Sequence, residues 1–217
     1  MILIRNPLVV LKLPTVGLVS LLIACSAHIR PNPQYSWPDM ASSKISGKLA
    51  VYIPREKLAS VVKSESTPGR LKHKPLAIGA GAKIMTQQAV TAVFDNADYF
   101  DKIPDEKNLK NLGYRGLLVL DSINILLNMP AVDSLVGDSL NISDMSIRVG
   151  IVYTAHDYLI QLAEPVKFGP DGQVGKRMHR ADLKKIDIVL KDITDRILKE
   201  NADYLAKSLI QIYGARQ

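Results

Sequence analysis

The first clear periodicity along the chain runs from Lys48 to Ile53, where Leu49, Val51 and Ile53 alternate with Ala50 and Tyr52. A period of two predicts a strand, which Pro54 ends. Residues 55–74 read as a polar loop with a short helical turn at 56–63. From Pro75 to Ala97 the spacing of Ile78, Ala82, Met85, Ala89, Val93 and Phe94 puts the apolar positions on one face of a helix. Gly79 and Gly81 near its start indicate either a late helix start or the close approach of another backbone. A short extended segment near Tyr99 and a polar turn from Pro104 to Gly113 follow. Leu117–Met129 then reads as a strand, with Val119, Ile123, Ile125, Leu127 and Met129 at strand spacing.

Pro130 and a polar run to Ser143 break that strand, and Ser146–Thr154 alternates again. Tyr158–Phe168 is expected to pair back on it across a tight Ala155-His156-Asp157 connection, with a turn at Gly169-Pro170-Asp171-Gly172. The longest helix is expected from Ala181 to Tyr213, on Ile186, Val189, Ile193, Ile197, Leu205, Leu209 and Ile212, with Asp182 near its start and Gly214 as its stop. Strand, helix, several strands, helix is the order of an α+β two-layer sandwich: a mostly antiparallel sheet covered on one face by two helices.

The N-terminus breaks this pattern. Arg5 and Lys12 precede an apolar run from Val16 to Ala24, the layout of a secretory signal, and the run is shorter than the about 20 apolar residues that span a bilayer. It ends in Leu22-Ile23-Ala24-Cys25, which resembles the lipobox of bacterial lipoproteins. That resemblance implies diacylglycerol on the Cys25 thiol, cleavage between Ala24 and Cys25, and acylation, typically palmitate, of the new amine. Two or three acyl chains hold a protein stably on a membrane, each buried methylene adding about 0.8 kcal/mol. The organisation expected is therefore a signal peptide over 1–24, a lipidated tether over 25–45 with three prolines, and one domain over 46–217. Ser26 after the cysteine resembles the sorting signal for the outer membrane, so the domain is expected to face the periplasm.

Cys25 is the only cysteine, which excludes an internal disulfide, a Cys-rich zinc site and a redox pair. The formal charge of +7 falls to +5 once Arg5 and Lys12 leave with the signal. The basic residues concentrate in two stretches, from Arg55 to Lys74 and from Lys176 to Lys185. Such runs suit anionic headgroups or an acidic protein surface, and equally a solvated loop and helix start. No nucleic-acid motif or aromatic platform accompanies them, so nucleic acid is not an expected partner.

Candidate chemistry is sparse. His28, His73, His156 and His179 share no metal-ligand spacing, so no metal is expected. Asp144, Ser146 and His156 supply the residue types of a hydrolytic triad without a Gly-x-Ser-x-Gly elbow. Asp192, Asp195, Glu200 and Asp203 fit the polar face of a helix. Gly79 and Gly81 form no phosphate loop. The expectation is a protein that is not an enzyme and carries no cofactor, with Cys25 as its one functional residue.

The opening strand, the small-residue helix, the polar-interrupted strands and the long last helix together resemble envelope-assembly lipoproteins, including auxiliary lipoproteins of transport systems and the lipopolysaccharide-assembly lipoprotein. The resemblance covers the last 170 residues or so as an order of elements. It implies an accessory subunit that docks on an envelope complex, such as a secretion, export or flagellar machine, and ties it to the membrane. The alternative is a carrier or chaperone for a lipid or other apolar ligand, lined by Ile84, Met85, Val93, Ile123, Ile125 and Leu127.

Overall fold

A computed structural model of the chain describes residues 28–33, 44–61, 75–128, 144–159, 164–169, 171–177 and 185–214. Six strands, β1 (Ile45–Tyr52), β2 (Phe94–Phe100), β3 (Tyr114–Asn128), β4 (Asp144–Asp157), β5 (Val166–Phe168) and β6 (Asp171–Arg177), form one sheet. Across it the order is β2-β1-β3-β4, and β5 and β6 follow one another along the outer side of β4. β1 is parallel to β2 and to β3, whereas the pairings of β4 with β3, β5 and β6 are antiparallel. The helices are α1 (Arg55–Leu58), α2 (Ile78–Val93), α3 (Glu106–Asn111) and α4 (Ile186–Tyr213).

The α+β architecture expected from the pattern is the one observed. α2 and α4 join a single core with one face of the sheet, to which Leu49, Val51, Leu118, Val149, Ile151 and Tyr153 belong. The two helices run parallel. Gly81 near the start of α2 meets Leu198 in the middle of α4, and Phe94, directly after α2, meets the Tyr213 ring at the end of α4 edge-on at 5.3 Å. Their buried polar groups bond within their own helix, Thr194 to the Leu190 carbonyl at 2.6 Å and Asn201 to the Ile197 carbonyl at 2.8 Å. Thr86 also shares a 2.8 Å bond with the Tyr153 hydroxyl, which ties α2 to β4. On the opposite face a smaller cluster of Ala50, Leu109, Tyr114 and Leu117 lies beneath α3.

β3 shows why the apolar spacing of this strand misleads. Leu120 pairs with Tyr153 and Ser122 with Val152, so Asp121 is an extra residue, a β-bulge. Before the bulge Leu118 and Leu120 face the helices; after it Ile123, Ile125 and Leu127 do. Val119, which shares the odd numbering of the later three, packs on the other face with Tyr52 and Phe100. The bulge converts a change of parity in the sequence into one continuous apolar face.

Other expectations are corrected. The first long helix ends at Val93, not Ala97, because Phe94 already pairs with Ile45 and Ala97 with Leu49 in the β1–β2 ladder. Asp95 and Asn96, weak helix formers, let the chain leave the helix there. The 155–157 stretch is not a connection: Ala155, His156 and Asp157 pair with Leu118, Leu117 and Gly116 as the end of β4. Among the described residues return pairing occurs through Val166–Phe168 on Tyr153–Ala155. Asp171 and Gly172, expected in a turn, begin β6. The polar turn before β3 contains α3, capped by the Asp105 carboxylate, which accepts from the Lys107 amide at 3.1 Å.

Candidate functional site

Cys25 lies outside the described residues, as do Tyr35 and Trp37; the chain enters the structure at His28. It enters docked. The Ile29 amide donates to the Pro75 carbonyl at 2.8 Å and the Ala77 amide donates to the Ile29 carbonyl at 2.9 Å, a parallel bridge between Ile29 and Leu76. Ile29 belongs to the main core, and Pro31 and Pro33 are buried after it. Residues 28–33, within the stretch 25–45 expected as an extended tether, therefore pack as part of the body.

The seat is built from small residues. A β-carbon on Gly81 would lie 3.0 Å from the Pro31 ring. One on Gly79 would overlap the Lys57 and Leu58 carbonyl groups, so α1 packs directly on the first turn of α2. Of the two readings of these glycines, close approach is the one observed, since α2 already starts at Ile78. The surface around this seat displays Arg30, Arg55 and Lys83, all exposed, and half-buried Lys57. Arg55 pairs with Asp101 at 3.2 Å on the surface. Beside α1 a cleft of about 250 Å³ is lined by Val51, Ile53, Leu58, Tyr99 and Phe100, with Arg55, Lys83 and Asp101 at its polar positions.

A denser polar network lies at the last turn of α4. A second register shift, between Lys48 and Leu49 on β1, leaves Arg115 as the extra residue of β3. Its buried guanidinium donates to the carbonyl of Tyr213 at the last turn of α4, where a cation meets the negative end of the helix dipole. The Tyr213 hydroxyl donates to the His156 carbonyl at 2.8 Å. His156 Nδ1 lies 3.0 Å from Glu106 Oε1, and Lys110 sits 5.0 Å above the Tyr158 ring. Burial, then the Asp157 and Tyr158 charges, pushes the Tyr213 phenol well above its ordinary value of 10.0, with Arg115 opposing. Burial, then Glu106 and Asp105, does the same to Tyr158. The Tyr158 hydroxyl, Asp157 Oδ2 and Arg115 Nε are buried without a partner among the described residues. Nearby, Lys48 pairs with Asp98 at 2.6 Å and Tyr114 donates to the same carboxylate. Lys48, then the Tyr114 hydroxyl, holds the Asp98 carboxyl below its ordinary value of 3.8.

These places absorb little of the chemistry sought in the sequence. Ser146 and His156 stand ten residues apart on β4, about 33 Å at strand rise, and Asp144 is farther still, so the three cannot act together. His156 instead faces Glu106, and His73 and His179 lie outside the described residues. Among the described residues no cluster of three metal-ligating side chains occurs. Asp192 and Asp195 pair along the helix with Arg196 and Lys191. Much of both basic stretches lies outside the described residues. The proposed ligand lining is core: Met85 and Val93 are buried, and Ile84, Ile123, Ile125 and Leu127 pack partly buried against the same cluster. The residues missed from sequence, Arg115 above all, announce themselves by no spacing, because a bulge places them.

No protein-family model matches the chain, and no curated protein matches it in sequence. Among solved structures it is similar to a minor lipoprotein from Acinetobacter baumannii, at 8% identity and a TM-score of 0.41, over 78% of this chain and 95% of that one. It is similar also to the rare lipoprotein B from Shewanella oneidensis, at 9% identity and a TM-score of 0.39, over 76% of this chain and 95% of that one. Lipoprotein B from Nitrosomonas europaea gives 10% identity and a TM-score of 0.30, over 82% of this chain and 96% of that one. Among the described residues no helix is long and apolar enough to cross a membrane.

Proposed function

We propose that the protein is a bacterial lipoprotein, held in the outer membrane by acyl chains on Cys25, whose periplasmic body docks as an accessory subunit on an envelope complex. The observation that carries the anchor is the single cysteine of the chain standing at the end of Leu22-Ile23-Ala24-Cys25. Docking is supported by the sheet edge: among the described residues β2 pairs with β1 alone, and its outer main-chain groups are placed to receive a partner strand. Tyr99 on that edge is 40% exposed. Exposed Asp95 on it guards against unselective pairing, while Asp98 and Asp101 pair with Lys48 and Arg55. No cofactor and no catalytic group belong to this reading.

The test is mild crosslinking in native membranes, followed by identification of what is recovered with the wild type and with Cys25→Ser. A stoichiometric set of envelope proteins with the wild type supports the accessory subunit. Recovery of the protein alone, or with lipid only, contradicts it. The cleft beside α1 favours a second reading, a carrier of an apolar ligand. Its volume of about 250 Å³ is just under the about 300 Å³ at which ligand pockets begin, which ranks this reading second.

A further inference from the structure

β3 outlasts its neighbour in the sheet. β1 pairs with it from Lys48 on Tyr114 to Tyr52 on Val119, and β3 continues to Asn128. Pro54 ends β1, and the chain turns to the helix side, where α1 packs on Gly79. Among the described residues no strand therefore pairs with the β1 side of Ser122–Asn128, whereas β4 pairs along the whole of its other side. The side chains register the difference. On the helix face of this one strand, Leu118, flanked by Val51 of β1, is fully buried, whereas Ile123, Ile125 and Leu127 are half-buried.

Composition sets this edge apart from the others. Native sheets guard their free edges with charges, prolines or irregularities that stop unselective pairing. β2 carries Asp95 and Asp98, β5 carries Lys167, and β6 carries Asp171, Lys176 and Arg177 with Gly172 and Gly175. Ser122–Asn128 reads Ser-Ile-Asn-Ile-Leu-Leu-Asn, with no charge, proline or glycine. An unguarded edge of this length is a template for another strand.

The same run matches itself. In an antiparallel self-pairing, only a centre on a residue keeps the helices of both copies on one face, because successive side chains alternate. With the centre on Ile125, Ile125 faces its counterpart and Ile123 faces Leu127 on the helix side, while Ser122 faces Asn128 and Asn124 faces Leu126 on the other. The nearest charge, Asp121, lies beyond the last of these pairs, so no like charges are opposed. A centre on Asn124 would instead set Asp121 against Leu127.

We infer that a second copy of this chain covers the edge: two β3 strands pair antiparallel through Ser122–Asn128, and the two sheets become one across a two-fold axis at Ile125. The axis stands perpendicular to the sheet, which leaves the Ile29 seats of both copies at one height along it, so lipid anchors on both copies can enter one membrane. The inference goes beyond the accessory-subunit reading and leaves the β2 edge of each copy open to a partner.

The test uses the full chain in its own membranes under a mild thiol oxidant. Residues directly opposed across an antiparallel pair hold their β-carbons about 5 Å apart, close to the span of a disulfide. The wild type, whose one cysteine is Cys25, sets the background. Ile125→Cys is expected to give a disulfide-linked dimer severalfold more readily than Tyr99→Cys on the β2 edge. Asn124→Cys and Leu126→Cys, both at exposed positions, are expected to cross-link to each other when co-expressed and more weakly alone. In mild detergent the wild type is expected to sediment as a dimer. Asn124→Lys combined with Leu126→Lys opposes lysines across the pair and is expected to sediment as a monomer with the wild-type unfolding midpoint. A monomeric wild type, a dimer that survives both lysines, or cross-linking through position 99 in preference to 125 overturns the inference. A disulfide from position 125 to a different envelope protein, without the 125–125 product, overturns the second copy as the occupant.

Discussion

Gly79 is placed where a methyl group has nowhere to go, since the carbonyls of Lys57 and Leu58 occupy the space. Gly79→Ala must push α1 off α2, and a cost of about 1–3 kcal/mol is expected in urea unfolding, as for other overpacked sites. A substitution at Gly113, whose φ is +73° but which has open space around it, strains only the backbone and is expected to cost about 1 kcal/mol. The buried phenols make a pH prediction. Burial raises Tyr153 and Tyr213 above their ordinary value of 10.0. Both stay protonated in the folded chain while the unfolded chain ionises, so their contribution is complete below pH 10 and is lost as pH rises through the folded values. The tyrosinate absorbance of these two phenols should therefore appear together with unfolding at alkaline pH; their ionisation in a folded chain would contradict their burial. The close approach at Gly79 was one of two readings of the sequence, whereas the burial of Tyr153 and Tyr213 was not legible from residue type, because their partners Thr86 and the His156 carbonyl lie far off in the chain.

At the scale of elements, what could be read from the pattern was periodicity within one element, and what could not be read was a change of register. β1, α2, β4 and α4 follow their apolar spacing because the residues each gives to the main core recur on one face. β3 does not, because Asp121 switches the face midway. Deleting Asp121 should turn Ile123, Ile125 and Leu127 away from the helices, at about 1 kcal/mol for each half-buried side chain. Asp121→Ala keeps the bulge and loses only the bond from Thr154, so it should cost clearly less. Equal unfolding midpoints for the two variants would show that the bulge does not set the register. β2 reads from the sequence only as a short extended segment near Tyr99, and the start of β6 as a turn, because strands rich in Asp, Asn, Gly and Gln carry too few apolar positions to alternate. The seat of Ile29 was hidden for a related reason: the residues buried with it at the alternating positions are Pro31 and Pro33, which give no strand signal. Ile29→Ala is expected to lower stability by about 2–3 kcal/mol and to speed hydrogen exchange at the Ala77 amide, which donates to the Ile29 carbonyl.

For the whole molecule, the α+β class followed from the order of elements, since a helix with one apolar stripe and a strand with one apolar face have few ways to cover each other. The polar end around Arg115 and Tyr213 did not follow, because it joins β3, β4, α3 and α4 from positions as far apart as 98 residues. The sequence offers a functional expectation only at Cys25, because the proposed processing would depend on a short local motif and docking surfaces obey no such local rule. The account therefore turns on the chemistry of that residue. The most direct measurement is the intact mass and N-terminal fragment mass of the protein recovered from its own membranes. The account predicts a chain that begins at Cys25 and carries diacylglycerol on sulfur, with an acyl group on the new amine. A chain that retains Met1, or one cut elsewhere with a free Cys25 thiol, would contradict it.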